Sequence, residues 1–392
     1  MAAHASGGPV RGMEGAMPEA ARNGSLADRF WAWRDGLLAS PKFREWAASF
    51  PFTRPIARRR ARQLFDLCAG FVYSQVLAAC VRLRVFDHLA EGPMTADALS
   101  ARIKLTPEAT ERLLRAAGAL RLAAPRGGGR YGLGELGATL VGNEALVSLI
   151  EHHAQFYSDL DDPVQLLREG GTATRMARYW AYAQSEAPSE LDAERTASYS
   201  RLMTASQALI ASEILSAYPL DWHRCLMDVG GGEGGFLAAA ARSQAALQVH
   251  LFDLPSVAAR GGERLRAEGF GDRARVTGGD FFRDPLPRGA DVVSLVRVIH
   301  DHNDAAVLGL LRAVRAALPD GGTLLLAEPM ADAEGAEPVG DAYFGFYLLA
   351  MGQGRARSAS ELSAMLIEAG FKSTELVRTR MPLQTGLLVA RC

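Results

Sequence analysis

The sequence has almost no lysine: Lys42, Lys104 and Lys372 stand among 43 basic residues, and arginine supplies the rest. We read that bias as the base composition of the gene and attach no function to it. Cysteine is as scarce. Cys68, Cys80, Cys225 and Cys392 lie far apart with no CxxC spacing, which excludes a disulfide framework or a zinc ribbon and fits reduced thiols. No uninterrupted apolar run reaches the roughly 20 residues needed to cross a bilayer. The longest, Leu67–Val81, is broken by Ser74 and Gln75 and predicts a buried helix. Residues 1–25 lack the apolar segment of a signal peptide and read as a disordered leader. Net charge is −1, so the overall balance gives no reason to expect nucleic acid as a partner.

What is present is a globular composition, 48% apolar and 22% charged, over 392 residues. That length exceeds one ordinary hydrophobic core and implies two domains. Residues 26–197 carry apolar side chains at three- and four-residue spacing and predict a helical domain. Within it, Thr95 and Thr106 are N-caps of two successive helices, and Pro107 opens the second. The glycine-rich stretch 126–130 then leads to a short strand at Tyr131–Leu133. That outline, over about residues 61–140, is a winged helix.

Residues 198–392 form the second predicted domain, in which short apolar runs alternate with helical ones from Leu220 onward. Strands are expected at Cys225–Val229, Val249–Leu254, Arg275–Thr277, Val292–Val298, Thr323–Ala327, Glu375–Arg378 and Leu387–Ala390. Such alternation predicts an α/β, Rossmann-like domain with a mostly parallel seven-stranded sheet and ligands at the carboxyl ends of its strands. The last two strands lie too close for a helical crossover, so they should pair as a hairpin and make one strand antiparallel.

The strongest local signal is the run Leu226–Gly235. A buried strand carrying Asp228 runs into Gly230, Gly231 and Gly232 ahead of an alanine-rich helix. Glycines let the backbone turn tightly against a ligand, and the helix start offers free N–H groups. By spacing alone, Gly230, Gly232 and Gly235 equally satisfy the dinucleotide GxGxxG pattern. Asp253, with Leu254 beside it, closes the next strand and can accept both hydroxyls of a ribose. That suits either a nicotinamide dinucleotide or S-adenosylmethionine. Asp280 and Phe281 follow the third strand, offering a carboxylate and an aromatic face to an adenine. The fourth strand runs out through Arg297, the last of the expected cofactor residues, to His300, Asp301 and His302.

Together, DVGGGEGG, FDLP at 252–255, GGDFF at 278–282, RVIHDHND at 297–304 and LLLAEPM at 324–330 resemble the plant-type small-molecule O-methyltransferases in order and spacing. The resemblance implies S-adenosylmethionine as cofactor, held by Gly230, Asp253, Asp280 and Phe281. It implies His300 as general base and Glu328 as the carboxylate flanking it. Asp301 is a third catalytic candidate, ranked lower because adjacent residues of a strand point to opposite faces. Two departures stand out. His302 replaces the family's tryptophan, and Ala356 stands where a second flanking glutamate is expected, so the clamp used on phenolic substrates is incomplete. This argues against a phenylpropanoid acceptor.

Longer segments at 50–93, 150–163 and 337–358 resemble the carotenoid O-methyltransferases of purple photosynthetic bacteria. That resemblance implies methylation of the 1-hydroxy group of acyclic carotenoids, such as hydroxyneurosporene and demethylspheroidene; the helical N-terminal half predicts an intertwined homodimer, and the lack of a carboxylate cluster beside His300 argues against a metal. A long apolar pocket is expected from Tyr343, Phe344, Tyr347 and Met351, with Phe71, Tyr73, His153 and Tyr157 from the helical domain and Met203 just beyond it. His152 and His153 are neighbours on a helix and point apart, as pocket or core residues do and metal ligands do not. The Arg58–Arg62 cluster reads as a solvated face or as a contact with anionic lipid. The second reading places a cytoplasmic enzyme peripherally at the inner or photosynthetic membrane. Other readings stay open: a polyketide or bacteriochlorophyll precursor as acceptor, a winged-helix regulator sensing an adenosyl ligand, and an NAD-linked oxidoreductase.

Overall fold

A computed structural model describes residues 25–171, 174–178, 207–333, 338–380 and 385–392, and it divides into two compact units between Leu77 and Ala78. The first unit is all helix. α1 (Leu26–Ala39) starts at a capping box, in which the Ser25 and Asp28 side chains each accept the other's backbone N–H. Ser40 caps α2 (Pro41–Ser49), whose first turn holds Pro41. α3 (Arg54–Arg82) follows and runs across the unit boundary. α1 buries none of its residues and α2 only Ala47.

The buried helix expected at Leu67–Val81 is not what forms. The helix exists, but only Cys80 and Val81 are buried, and Leu64, Phe65, Leu67 and Phe71 are 64–80% exposed. The reason is length: at about 1.5 Å per residue the helix reaches roughly 43 Å, and two short helices supply no core that could cover it. By length and composition α3 would also cross a bilayer, with little of its apolar stretch buried.

In the second unit, α4 (Val85–Ala90), β1 (Met94–Thr95), α5 (Ala96–Ile103), α6 (Pro107–Ala119), β2 (Ala123–Arg126) and β3 (Arg130–Leu133) make the winged helix. Thr95 and Thr106 cap α5 and α6 through Ala98 and Ala109 N–H, and the three strands pair antiparallel in the order β1-β3-β2. The helices α7 (Glu135–Ala138), α8 (Glu144–Asp159), α9 (Pro163–Glu169) and α10 (Gln207–Ala217) follow.

The rest is β4 (Cys225–Val229), α11 (Gly235–Ser243), β5 (Gln248–Asp253), α12 (Pro255–Ala267), β6 (Ala274–Gly278), β7 (Val292–Val296), α13 (Asp304–Ala317) and β8 (Thr323–Glu328). Then come β9 (Met330–Ala331), a π-helical turn at Pro338–Phe344, α14 (Gly345–Met351), β10 (Arg357–Ser358), α15 (Ala359–Glu368), β11 (Ser373–Val377) and β12 (Gly386–Arg391). Seven strands form one sheet in the order β11-β12-β8-β7-β4-β5-β6, and β12 alone runs antiparallel to its neighbours. β7 and β8 are buried throughout, as parallel strands covered on both faces must be. Strand order reverses at β4, which leaves a crevice above the carboxyl ends of β4 and β7. β7 ends at Val296, two residues early, because Arg297 takes a left-handed conformation with φ of 57° and turns the chain out of the sheet.

Candidate active site

The loop after β4 turns through positive φ at Gly230 (69°) and Gly232 (59°). A side chain at Gly230 would put its Cβ 2.9 Å from Val298 and 3.5 Å from Phe281, so both neighbours close on bare backbone. Gly230 N–H donates to the Phe252 carbonyl at 2.8 Å. Asp253, at the end of β5, accepts Gly232 N–H at one oxygen and Leu254 N–H at the other, each at 2.7 Å. A carboxylate so held still has lone pairs for two hydroxyls. Burial pushes its pKa up, against the pull of those two N–H groups.

Asp228 lies beneath this loop. Its carboxylate accepts Ser294 Oγ–H at 2.6 Å and fills the space below Gly231, where a Cβ would come within 2.6 Å. Burial pushes it up to about 7, with the Ser294 bond opposing. It braces the glycine turn from inside the sheet.

Beyond β6, Asp280 accepts Phe282 N–H at 2.9 Å, and the rings of Phe281, Phe282 and His302 form a trio with centroids 4.5 to 5.8 Å apart. His302 thus supplies an aromatic ring at the position expected to hold tryptophan. A Cβ-free turn, a carboxylate placed for a diol and an aromatic face fit the parts of S-adenosylmethionine.

Across the crevice, Glu328 ends β8 almost wholly buried. One of its oxygens accepts the Val298 and Ile299 N–H groups at 2.8 Å each, and the other lies 2.5 Å from His300 Nδ1. A carboxylate only accepts, so Nδ1 carries the hydrogen and Nε2 is left to take a proton. Asp301 Oδ1 sits 3.1 Å from Nε2 without forming a hydrogen bond. The opposite-face expectation for Asp301 does not apply here. Residues Ile299–Asp301 form a 3₁₀ turn, where successive side chains are about 120° apart. Burial alone would lower the His300 pKa, but Asp301 and Glu328 outweigh it and hold it above the ordinary value of 6.5. Asp301 is itself pushed up by burial.

Two residues that hold this turn had not been singled out for it. Arg357, 2% exposed, donates to the Ile299 carbonyl at 3.0 Å and to the His302 carbonyl and Asp304 carboxylate at 2.7 Å each. Gly354, with φ of 85°, lies so close that an added Cβ would fall 2.1 Å from the His300 carbonyl oxygen. Arg355 N–H donates to that same oxygen at 2.9 Å. The signal in the sequence is the Gly-Arg-Ala-Arg run at 354–357, the same run in which Ala356 stands where a glutamate is expected.

Beside His300, Phe344 lies with ring centroids 6.4 Å apart, and Tyr343 and Tyr347 continue the aromatic surface. His153 Nε2 pairs with the Tyr343 hydroxyl and His152 Nε2 with the Tyr347 hydroxyl, both at 2.8 Å. Burial pushes His152 down to about 4 and lowers His153 as well, so both rings are neutral at pH 7. Tyr157 lies against His153, Met351 is buried in the same cluster, and Ala356 packs on it. Arg297 N–H donates to the Ala327 carbonyl at 2.8 Å, and its charge opposes the His300 cation. Phe71 and Tyr73 belong to the first unit, where Phe71 is 68% exposed and the Tyr73 hydroxyl lies 3.4 Å from Asp66. Met203 falls outside the described residues.

Residues 157–372 match the O-methyltransferase domain, and residues 65–143 match the O-methyltransferase dimerisation domain. The demethylspheroidene O-methyltransferase of Cereibacter sphaeroides is 45% identical over 354 residues, which cover 90% of this chain and 93% of that protein. The protein of the same name from Rhodobacter capsulatus is 38% identical, with 90% and 88% covered. Among solved structures, human N-acetylserotonin methyltransferase in complex with SAM superposes with a TM-score of 0.67 at 26% identity, over 85% of this chain and 97% of that one. The dimerisation match supports a homodimer and takes in the exposed apolar side of α3 from Phe65 onward.

Proposed function

This chain belongs to the plant-type, S-adenosylmethionine-dependent O-methyltransferase family, and from that premise we propose that it methylates the 1-hydroxy group of acyclic carotenoids such as hydroxyneurosporene and demethylspheroidene, with His300 as general base. Membership sets aside the regulator and the NAD-linked oxidoreductase. The observation that carries the reading is His300, held by Glu328 with Nε2 available, beside an aromatic surface on which Ala356 replaces a carboxylate. An apolar wall suits a polyene, whose burial contributes about 25 cal/mol per Å². The names of the two relatives point to the same acceptor class.

S-adenosylmethionine, when bound, supplies an electrophilic methyl group on a sulfonium. Gly230, Asp253, Asp280 and Phe281 would hold it, with Gly231, Gly232, Leu254 and Arg297 shaping the cradle and Asp228 bracing it. A tertiary alcohol has a pKa of roughly 16, near that of water. Against an imidazole of about 6.5, full ionisation would cost on the order of 13 kcal/mol. The raised pKa of His300 narrows that gap without closing it. His300 Nε2 therefore takes the proton while the new bond forms, and Glu328 stabilises the resulting imidazolium. The rest of the acceleration comes from alignment of oxygen and methyl carbon against the apolar wall.

An acceptor dissolved in a bilayer places the enzyme on the cytoplasmic side, peripherally at the inner or photosynthetic membrane. The deciding experiment is transfer of labelled methyl from S-adenosylmethionine to detergent-solubilised 1-hydroxyneurosporene by the wild type and by His300→Ala. We expect a loss on the order of 10²–10⁴-fold in the variant with cofactor binding intact. Equal transfer by both removes His300 as base. No transfer by the wild type removes the carotenoid and leaves another apolar acceptor, such as a polyketide or bacteriochlorophyll precursor.

A further inference from the structure

Three of the chain's five tryptophans, Trp31, Trp33 and Trp46, fall within α1 and α2, and each is about half exposed. Both helices precede the region matched by the dimerisation domain, which begins at residue 65. Along α1, Leu26, Phe30, Trp33 and Leu37 recur at four, three and four residues and so share one face. At 100° per residue, Arg29 and Arg34 flank that face on either side, while Asp28 and Asp35 point away from it. Along α2 and its exit, Phe43, Trp46, Phe50 and Phe52 contact one another in series, with ring centroids 5.1 to 5.7 Å apart. These rings stack sideways on each other and leave their outer faces uncovered; Phe52 is 84% exposed.

The charge of this segment has one sign. Between Ser25 and Asp66 there are nine basic and four acidic residues, a net of +5 (9 − 4) in a chain whose total is −1. At the start of α3, Arg58, Arg59 and Arg60 are exposed and make no ion pair among the described residues. Large aromatic rings that present an apolar body, with arginines whose stems extend past them, are the composition that settles at the boundary between lipid headgroups and acyl chains. A protein partner covering the same rings would not by itself require an excess of five positive charges, whereas anionic headgroups supply the opposite charge at the same depth.

We infer that α1, α2 and the arginine-rich start of α3 form a docking surface for an anionic lipid bilayer, with Phe30, Trp33, Trp46 and Phe52 entering the headgroup region and the long stems of Arg58–Arg60, fanned around α3, carrying positive charge to the headgroups. This deepens the peripheral placement above and does not depend on which acceptor is methylated.

The test is co-sedimentation of the full chain with phosphatidylcholine vesicles, with and without phosphatidylglycerol, over a range of salt. The wild type should bind the phosphatidylglycerol vesicles and lose affinity as salt rises. Arg58→Glu with Arg59→Glu and Arg60→Glu should weaken binding on the order of a hundredfold. Phe30→Ala with Trp33→Ala and Trp46→Ala should weaken binding to the same vesicles at least tenfold by the loss of buried aromatic area. Both variants should keep the wild-type sedimentation coefficient, cofactor affinity and methyl transfer to detergent-solubilised acceptor. Absence of vesicle binding by the wild type at low salt overturns the inference, as does equal binding by wild type and both variants. An aromatic variant that becomes monomeric also overturns it, because those rings would then be a contact between copies of the chain. None of these results bears on the acceptor, which the detergent assay reads separately.

Discussion

The two ends of the chain treat apolar side chains in opposite ways. In the sheet region, Leu324, Leu325, Leu326 and Ala327 of β8 are wholly buried, and β7 beside it is buried throughout. In the first unit, Leu67 is 80% exposed, and α1 has no buried residue at all. The sheet region completes its own core, so its site can be rigid: Glu328, Arg357 and Gly354 grip the turn of His300 from both sides. The helical unit leaves most of its apolar side chains uncovered among the described residues. Part of its apolar face lies within the dimerisation match, and the part before it carries the positive charge. The proposed base thus sits where the chain buries itself, and the dimerisation match begins where it does not.

Three changes sharpen or break that contrast. The largest effect is expected from Glu328→Gln. A glutamine can donate to Nδ1 and so favour the wrong tautomer of His300, which should lower methyl transfer by on the order of 10²–10⁴-fold. The pH profile gives the sign. His300 works as a base only when neutral, and its pKa is held above 6.5 by Asp301 and Glu328, so wild-type activity should fall as pH drops through that raised value. With Glu328 neutralised the limb should move to lower pH; a limb that stays in place removes His300 as the titrating group. Next comes Gly354→Ala, where the new Cβ meets the His300 carbonyl and forces the turn to move. A displacement near 1 Å should cost about a hundredfold in kcat, with the sheet still folded by circular dichroism. Unchanged kcat would show that the grip on the turn is dispensable. The smallest effect is expected from Leu67→Asp on α3, which should raise the dimer dissociation constant at least tenfold, from roughly 1.5 kcal/mol or more of lost apolar burial. Sedimentation velocity reads it directly. If the sheet core melts earlier in the monomer range, the two regions are not independent and the comparison fails.

Much of the fold was legible because its signals are local. All seven strands of the large sheet, the antiparallel final hairpin, the Thr95 and Thr106 caps and the glycine turn at 230–232 each follow from a few adjacent residues. The site was legible where residues sit at strand ends, as Asp253 and Glu328 do. At Asp301 local pattern misleads, because the apolar run suggests a strand through Val298 while β7 ends at Val296. The left-handed turn at Arg297 ends the strand, and the 3₁₀ turn brings Asp301 to the same ring as Glu328. Arg357 was read past because its partners, the carbonyls of Ile299 and His302, lie more than fifty residues earlier in the chain.

The sequence by itself determined the strands and the glycine turn after β4, because buried parallel strands need unbroken apolar runs and tight turns need glycine. Only the tertiary structure decided which carboxylates reach His300, which arginine fixes its turn, and that the apolar half of α3 faces outward. Those outcomes depend on chain segments meeting from far apart, or on a surface that the described residues leave uncovered. Local pattern records neither, since periodicity states that a side chain needs an apolar neighbour and not which molecule provides it.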